Sequence, residues 1–69
     1  MDKKYYVTRT DRNTGVKYYK KAKTLDIWSK DKSVCWKYSK QGAKQIADRL
    51  NEWERKVYFE HFDYDFEED

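Results

Sequence analysis

Cys35 and His61 are the only thiol and the only imidazole in the chain, and they are the obvious candidates for acid–base or nucleophilic chemistry. A catalytic thiol needs a base within hydrogen-bond reach, a group that orients the base, and an oxyanion site. The two residues fall in different predicted elements, and no third group accompanies them. We therefore predict no enzymatic activity and no catalytic residue. We expect Cys35 to be a small buried side chain and His61 a histidine at a helix end or on the surface.

Metal and phosphate chemistry also lack the necessary residues. A structural zinc site takes about four Cys or His ligands, and this chain has one of each. The two glycines, Gly15 and Gly42, lie in a predicted hairpin turn and a predicted first helical turn, so no glycine loop leads into a helix to hold phosphate. The acids near the C-terminus lack the spacing and central glycine of a calcium loop. We expect neither a metal nor a cofactor.

The segment FEHFDYDFEED, residues 59–69, alternates acidic and aromatic side chains. Two interpretations give the segment a purely structural role: an edge strand with the rings toward the core, or a disordered tail that folds back on the basic body. A functional interpretation is that the segment mimics nucleic acid. Regularly spaced carboxylates roughly imitate phosphates and can enter a partner's basic groove. The residues that would then contact the partner are Asp63, Tyr64, Asp65, Phe66, Glu67 and Glu68, with Arg49 and Arg55 of the helix secondary.

The stretch KYYKKAK, residues 17–23, offers a second candidate surface. Lysines can follow a phosphate backbone while exposed rings stack on bases, as in proteins that bind single strands. The alternative function is therefore a direct nucleic-acid-binding module that uses Lys17, Tyr19, Lys20, Lys21 and Lys23. Tyr6 and Tyr19 would share the sheet face away from the helix. Exposed tyrosines also stabilise sheets by cross-strand pairing, and small domains need surface charge in any case.

Composition limits the chain to one small domain of 69 residues with segregated charge. Charged residues make up 42% of the chain, yet aromatics at 19% supply enough apolar area for a core. Residues 1–59 carry a net charge of +9, whereas residues 60–69 have six acids and no Lys or Arg. We predict a basic domain over 1–59 with an acidic–aromatic tail over 60–69. No apolar run has signal or membrane length, so we expect no membrane association and a cytoplasmic location.

The elements that would position these residues begin with a β-hairpin over residues 4–23, in which Gly15 supplies the turn. Residues 24–29 predict a third strand. Residues 34–38 fit either a fourth strand or one helical turn that buries Val34 and Cys35 before a short extended piece, and periodicity cannot separate the two.

A helix is predicted over residues 40–59, with Ser39 as its N-cap. Apolar residues follow at helical spacing and form a stripe wide enough to face a core: Ala43, Ile46, Ala47, Leu50, Trp53 and Val57. The sequence therefore predicts an α+β fold, with a three- or four-stranded antiparallel sheet packed by one C-terminal helix.

From Trp28 to Leu50 the chain follows the pattern W-S-x-D-x-x-x-C-x-x-Y-S-x-x-x-A-x-x-I-A-x-x-L. This spacing resembles that of small proteins of bacteria and their phages, in which a hairpin and a Trp precede a Ser/Thr-capped helix. In size and composition the chain is similar to phage accessory proteins, including inhibitors of host defences such as anti-CRISPR proteins. The matched residues have packing or capping roles, so the pattern itself implies a fold.

The resemblance and the acidic segment together suggest a small non-enzymatic protein, encoded by a phage or mobile element. It would dock on a host protein that has a basic nucleic-acid-binding groove and inhibit it. The alternative partner is nucleic acid itself, as described above. A third hypothesis is a homodimeric structural or assembly protein whose interface buries the spare aromatics, so both monomer and homodimer stay open.

Overall fold

The computed structural model of the chain describes residues 3–56 and 61–69. A four-stranded antiparallel sheet has the strand order β3-β2-β1-β4, and one helix packs on it, which confirms the predicted α+β fold. In chain order the elements are β1 (Tyr5–Asp11), β2 (Lys17–Lys20), β3 (Trp28–Ser29), a 3-10 turn (Lys32–Val34), α1 (Lys40–Lys56) and β4 (Phe62–Glu68). Within the described residues, none of the helical segments is both long and apolar enough to cross a bilayer.

The predicted hairpin is formed by β1 and β2, with Thr8 opposite Tyr19 and Thr10 opposite Lys17. Its loop depends on Asp11, whose backbone N–H donates to the Val16 carbonyl at 2.9 Å and whose carbonyl accepts the Gly15 N–H at 2.8 Å. Gly15 has φ of 74°, the left-handed conformation that the predicted turn required.

The predicted strand over residues 24–29 is present only as Trp28–Ser29. The preceding residues instead form a loop around the ammonium group of Lys20. Its Nζ donates to the carbonyl oxygens of Ala22, Lys23 and Leu25 at 2.6, 3.3 and 3.0 Å. These carbonyls therefore bond to a side chain and not to a neighbouring strand, which explains why the third strand is short.

Residues 34–38 do not form a continuous strand. A 3-10 turn covers Lys32–Val34, and its N-cap Asp31 accepts a hydrogen bond from the Ser33 N–H. Tyr38 then makes a single antiparallel bridge to Tyr5, through backbone hydrogen bonds of 2.6 and 2.9 Å. Of the two alternatives for this segment, the helical turn with a short extended piece is the one observed, but the predicted burial is wrong for Val34, which is 52% exposed, and Cys35 is only partly buried.

The fourth strand is the acidic–aromatic segment. β4 pairs with β1 along its whole length, from Phe62 opposite Asp11 to Glu68 opposite Tyr5. Of the interpretations offered for this segment, the edge strand is the one that the structure has. Residues 62–68 therefore belong to the same sheet as the hairpin, and β1 becomes a central strand with a neighbour on each side.

α1 begins as predicted at Ser39, whose Oγ accepts the N–H of Gly42 at 3.1 Å. Its core face is centred on Ala43 and Ala47, which are 0% and 2% exposed. These pack near Val7 and Tyr38, with partly buried side chains around them: Tyr5, Trp28, Ile46, Leu50 and Phe66.

The end of the predicted apolar stripe differs from the structure. Trp53 is 54% exposed, whereas the neighbouring Glu54 is only 6% exposed. The buried face follows residues 43, 47, 50 and 54, a spacing that leaves Trp53 at the side of the stripe. The predicted final turn with Val57 lies outside the described residues.

Candidate binding cleft between the helix and the sheet

The two faces of the sheet carry different chemistry. Side chains of a strand alternate between faces, so the register puts Val7 beside Phe66 and Arg9 between Tyr18 and Tyr64 on the face toward α1. The opposite face carries Thr8 and Thr10 of β1 together with Lys17, Tyr19, Asp63, Asp65 and Glu67. The rings of β4 thus turn toward the helix, and three of its acids turn away from it.

The acids of β4 and the residue after it have partners within the chain. Arg12 pairs with Asp63 at 2.6 Å, and Lys17 pairs with Glu67 at 2.7 Å across β1. Lys37 pairs with Asp69 at 2.7 Å, and its hydrogen bond lowers the pKa of that carboxyl group. Exposed pairs of this kind stabilise a fold only weakly, but they reduce the negative charge offered to a partner.

The remaining two acids of this group also accept hydrogen bonds. Asp65 Oδ1 accepts the backbone N–H of Phe66 at 2.8 Å, and Glu68 Oε2 accepts the hydroxyl of Tyr5 at 3.3 Å. Phe62, Tyr64 and Phe66 are each only partly exposed. The predicted contact strip is therefore an integral strand whose rings face inward and whose carboxylates have intramolecular partners.

The helix holds the outer edge of β4 with two polar side chains. The Asn51 amide donates from Nδ2 to the Tyr64 carbonyl at 2.8 Å and accepts the Tyr64 N–H on Oδ1 at 3.0 Å, as a neighbouring strand would. Glu54 accepts the His61 N–H at 3.1 Å on one oxygen and the Tyr64 hydroxyl at 3.3 Å on the other. Burial of the Tyr64 hydroxyl and the nearby Glu54 charge both raise the pKa of that tyrosine.

Sequence reasoning missed both Asn51 and Glu54. A signal was available for Glu54, because at 100° per residue it falls within the arc of the apolar stripe, close to Ala47. A carboxylate in that arc must find hydrogen-bond donors when the helix packs.

Arg9 occupies a position on the central strand where an apolar side chain would be expected. Its guanidinium carbon lies 4.2 Å from the ring centroid of Phe62, 4.8 Å from that of Trp28 and 5.5 Å from that of Tyr18. Stacking on aromatic faces stabilises a partly desolvated cation by about 0.5–2 kcal/mol per contact. The Nε of Arg9 is buried without a hydrogen-bond partner. Among the described residues no carboxylate forms an ion pair with it.

A cleft of about 440 Å³ opens beside Arg9, between the second half of α1 and the sheet. We call it the aromatic–arginine cleft after the side chains that define it: Arg9, Trp28, Arg49, Trp53, Phe62 and Tyr64. Leu50, Asp26 and Glu54 complete the lining. The rings pack against one another, with 5.8 Å between the centroids of Trp28 and Tyr64.

The structure divides the predicted protein-contact residues among several locations. Arg49 and Tyr64 line the aromatic–arginine cleft, and Arg55 borders a smaller neighbouring cavity together with Asp63. Asp65 and Glu67 lie on the opposite face of the sheet, while Phe66 packs toward the core and Glu68 bonds to Tyr5. The predicted set is therefore not one surface.

The predicted nucleic-acid-binding residues are also divided. Lys20 is 4% exposed and is bonded to its own loop, and Lys17 is paired with Glu67. Tyr19 packs edge-on against Tyr6 with 5.6 Å between ring centroids, which confirms that these tyrosines share a face. Lys21 and Lys23 are exposed.

A basic surface does form around Trp36, which sequence reasoning did not select. The ring is 39% exposed, with Lys3 Nζ at 5.5 Å and Lys23 Nζ at 5.8 Å from its centroid. These residues are far apart in sequence: the bridge between Tyr5 and Tyr38 brings Lys3 near Trp36, and the loop around Lys20 brings Lys23 there. A long-range contact of this kind leaves no local pattern.

Cys35 lies beneath this region, with Sγ 3.5 Å from the Tyr19 carbonyl and 3.3 Å from the Asp31 carbonyl. Burial, and to a lesser degree the negative charge of Asp31, raises the pKa of the thiol. A raised pKa lowers the thiolate fraction and with it the reactivity of the sulfur. Within residues 3–56 and 61–69, no cluster of three or more His, Cys, Asp or Glu side chains is placed to hold a metal ion.

Comparison with protein-family models, with curated proteins and with solved structures gives no match. The resemblance to small phage proteins therefore rests on the pattern in residues 28–50, and functional inference depends on the surfaces described above.

Proposed function

We propose that this chain is a small non-enzymatic binding protein that docks on another protein through the aromatic–arginine cleft. The observation that carries this proposal is Trp53, a large apolar side chain that is 54% exposed on the rim of the cleft. Trp, Tyr and Arg are the residue types that dominate binding energy at protein interfaces, particularly where they surround a pocket. The cleft combines all three, and a partner side chain would fit its volume of about 440 Å³.

The cleft is a better contact surface than the acidic strip for an electrostatic reason. A carboxylate that already holds Arg12, Lys17 or Lys37 must exchange that partner before it can meet a cation on another protein. The net gain from such an exchange is small. Arg9 and Arg49 face no such exchange, since neither forms an ion pair with a described residue.

As the partner class we propose a host protein that handles nucleic acid, with this chain acting as its inhibitor in a phage or mobile-element setting. Support comes from the row of Asp63, Asp65 and Glu67 on one face of β4. Alternate residues of a strand are about 7 Å apart, which gives a regular anionic row on the sheet face opposite the cleft. In such a complex the cleft would supply the apolar anchor and the acidic row would supply orientation.

Trp53→Ala tests the docking proposal, with Trp36→Ala as the matched control because both side chains are exposed tryptophans on different surfaces. A partner captured from host lysate by the full chain would be purified and titrated with each variant after circular dichroism has verified folding. We expect Trp53→Ala to weaken binding by about 30-fold or more, as a hot-spot residue does, and Trp36→Ala to have little effect. Equal affinities for the wild type and Trp53→Ala would overturn the proposal.

A second candidate function, direct binding of single-stranded nucleic acid, is favoured by the surface around Trp36. There an exposed ring lies beside two lysines, Lys3 and Lys23, that form no ion pair with a described residue. A gel shift with a single-stranded oligonucleotide should weaken steeply between about 50 and 200 mM salt if phosphates are bound. For this function Trp36→Ala would reduce binding and Trp53→Ala would not, the reverse of the pattern expected for protein docking.

A further inference from the structure

The aromatic–arginine cleft holds two guanidinium groups, Arg9 and Arg49, and two carboxylates, Asp26 and Glu54, yet neither arginine forms an ion pair with a described residue. Arg9 lies next to the fully buried Val7 on the helix-facing side of the central strand, where a charged group is costly unless it is paired. Its guanidinium contacts aromatic rings, which attract a cation but carry no net charge, and the hydroxyl of Tyr64. Arg49 lines the same cleft and forms no ion pair within the described part of the chain.

The two acids that line the cleft interact with groups other than the arginines. Both carboxylate oxygens of Glu54 accept hydrogen bonds, one from the His61 N–H and one from the Tyr64 hydroxyl. Asp26 lies close enough to Lys20 for its negative charge to oppose the lowering of the lysine pKa by burial. Each acid therefore has a role in the fold, and neither is bonded to a guanidinium.

The side chains that line the cleft favour a particular ligand shape as well as a negative charge. Arginine presents a planar fork of donors that matches a carboxylate, and the surrounding rings favour a flat apolar group. The cleft volume of about 440 Å³ accommodates one ring with a carboxylate attached. A charged group alone would leave the ring surfaces of Trp28, Trp53 and Phe62 exposed to water.

We propose that the aromatic–arginine cleft is a site for a carboxylate held next to an aromatic ring, as in an acidic–aromatic segment of the partner protein. Arg9 and Arg49 bind the carboxylate, while Trp28 and Trp53 contact the ring. This inference rests on the proposed docking function and gives the partner segment its chemistry.

Benzoate is a suitable probe, and benzamide is its neutral control of nearly the same shape. The side-chain N–H signals of the three tryptophans would be followed by NMR on the full chain, because Trp28 and Trp53 line the cleft and Trp36 does not. We expect benzoate to shift the Trp28 and Trp53 signals with a Kd on the order of 1 mM, reasonable for so small a ligand. Benzamide should bind at least about tenfold more weakly, a loss of roughly 1.4 kcal/mol.

Arg49→Gln should weaken benzoate binding by about tenfold without affecting the fold, since Arg49 is exposed on the helix. Lys44→Gln, an exposed cation on the same helix that is absent from the cleft lining, is its control. Equal binding of benzoate and benzamide, or an unchanged benzoate affinity in Arg49→Gln, would overturn the carboxylate site.

The result separates this inference from the docking proposal. If benzoate fails while Trp53→Ala still abolishes partner binding, the cleft docks a protein but does not select a carboxylate. If benzoate binds while Trp53→Ala leaves partner binding intact, the cleft is a ligand site and the docking proposal is wrong.

Discussion

Lys20 shows how the role of a single side chain can change between sequence and structure. In the sequence it is one of several lysines beside tyrosines, and it was grouped with the phosphate-binding candidates. In the fold the residue is 4% exposed, and its ammonium group donates to three carbonyls of the following loop. Its adjacent lysine, Lys21, is exposed.

Lys20→Met should therefore destabilise the protein, because it keeps the aliphatic stem but removes the ammonium donor from three carbonyl oxygens, of which only those of Ala22 and Lys23 also accept the Tyr38 hydroxyl. We expect a loss of about 1–3 kcal/mol in the free energy of unfolding, measured by urea denaturation. Lys21→Met should stay within about 0.5 kcal/mol of the wild type. Equal stabilities for the two variants would contradict the loop-organising role of Lys20.

Residue roles were predictable where the interaction is local. Ser39 as a helix cap and Gly15 at positive φ follow from neighbours within a few positions, and both are confirmed. Arg9 and Lys20 were not assigned correctly because their surroundings come from distant parts of the chain. Trp28 and Phe62 meet Arg9 only after the sheet has formed.

Among the elements, β4 completes the sheet and connects it to the helix. It covers one side of β1 over seven residues and contacts α1 through Asn51 and Glu54. A chain without it would lose the packing of Phe66 against the core, and Glu54 would lose the Tyr64 hydroxyl as a hydrogen-bond donor.

Deletion of residues 62–69 should abolish the cooperative fold, seen as loss of the unfolding transition in circular dichroism. A matched triple variant keeps the strand and removes the three ion pairs. It carries Asp63→Asn, Glu67→Gln and Asp69→Asn. We expect it to fold with only a small loss of stability, because exposed ion pairs contribute about 0–1 kcal/mol each. A deletion variant that unfolds cooperatively like the full chain would show that β4 is dispensable.

Asn51 is the second test at this scale, since its amide satisfies both backbone groups of Tyr64 at the outer edge of β4. Asn51→Ala should cost about 1–3 kcal/mol in the free energy of unfolding and speed hydrogen exchange of the Tyr64 amide. Gln45→Ala, on the exposed side of the same helix, should change neither quantity appreciably. Unchanged Tyr64 exchange in Asn51→Ala would contradict the edge-clamp role.

The sequence predicted hairpin and helix well because each depends on a short-range period. The alternation of β1 and the stripe through Ala43 and Ala47 are visible within a few residues. The third strand was predicted too long because the loop around Lys20 has no sequence signature. The fourth strand was found among the interpretations of residues 60–69 but not in the predicted sheet, because strand order depends on long-range pairing.

For the whole molecule, the segregated charge of the sequence becomes a set of ion pairs that join the body to β4 and to Asp69. The aromatic residues are similarly shared out between the core, the cleft and the surface around Trp36. The cleft is only partly predictable from the sequence. Arg49 and Tyr64 are among the predicted contact residues, whereas Arg9, Trp28 and Phe62 join them from β1, β3 and β4.

Alkaline pH should weaken the whole fold through its buried phenols. Burial, and then the charge of Asp26, raises the pKa of Tyr38, and burial followed by Glu54 raises that of Tyr64. A group whose pKa is higher in the folded state contributes stability that is present below its unfolded pKa of about 10 and is lost above it. The urea midpoint should fall between about pH 9 and 11.

The double variant Tyr38→Phe, Tyr64→Phe should show a smaller fall in the urea midpoint with rising pH. It loses hydrogen bonds and therefore starts from lower stability at pH 7. The comparison is therefore between slopes and not between absolute midpoints. An equally steep fall in the double variant would assign the alkaline effect to other groups.

The position of β1 between β2 and β4 also suggests an order of assembly. β2 follows β1 after a short turn, whereas β4 follows the helix in the chain. The pairing of β4 with β1 therefore closes a much larger loop. Loop closure of that size slows folding relative to hairpin or helix formation. The cleft is built across this late junction, which means that a binding-competent surface would be the last feature to arise during refolding and the first to be lost when β4 detaches.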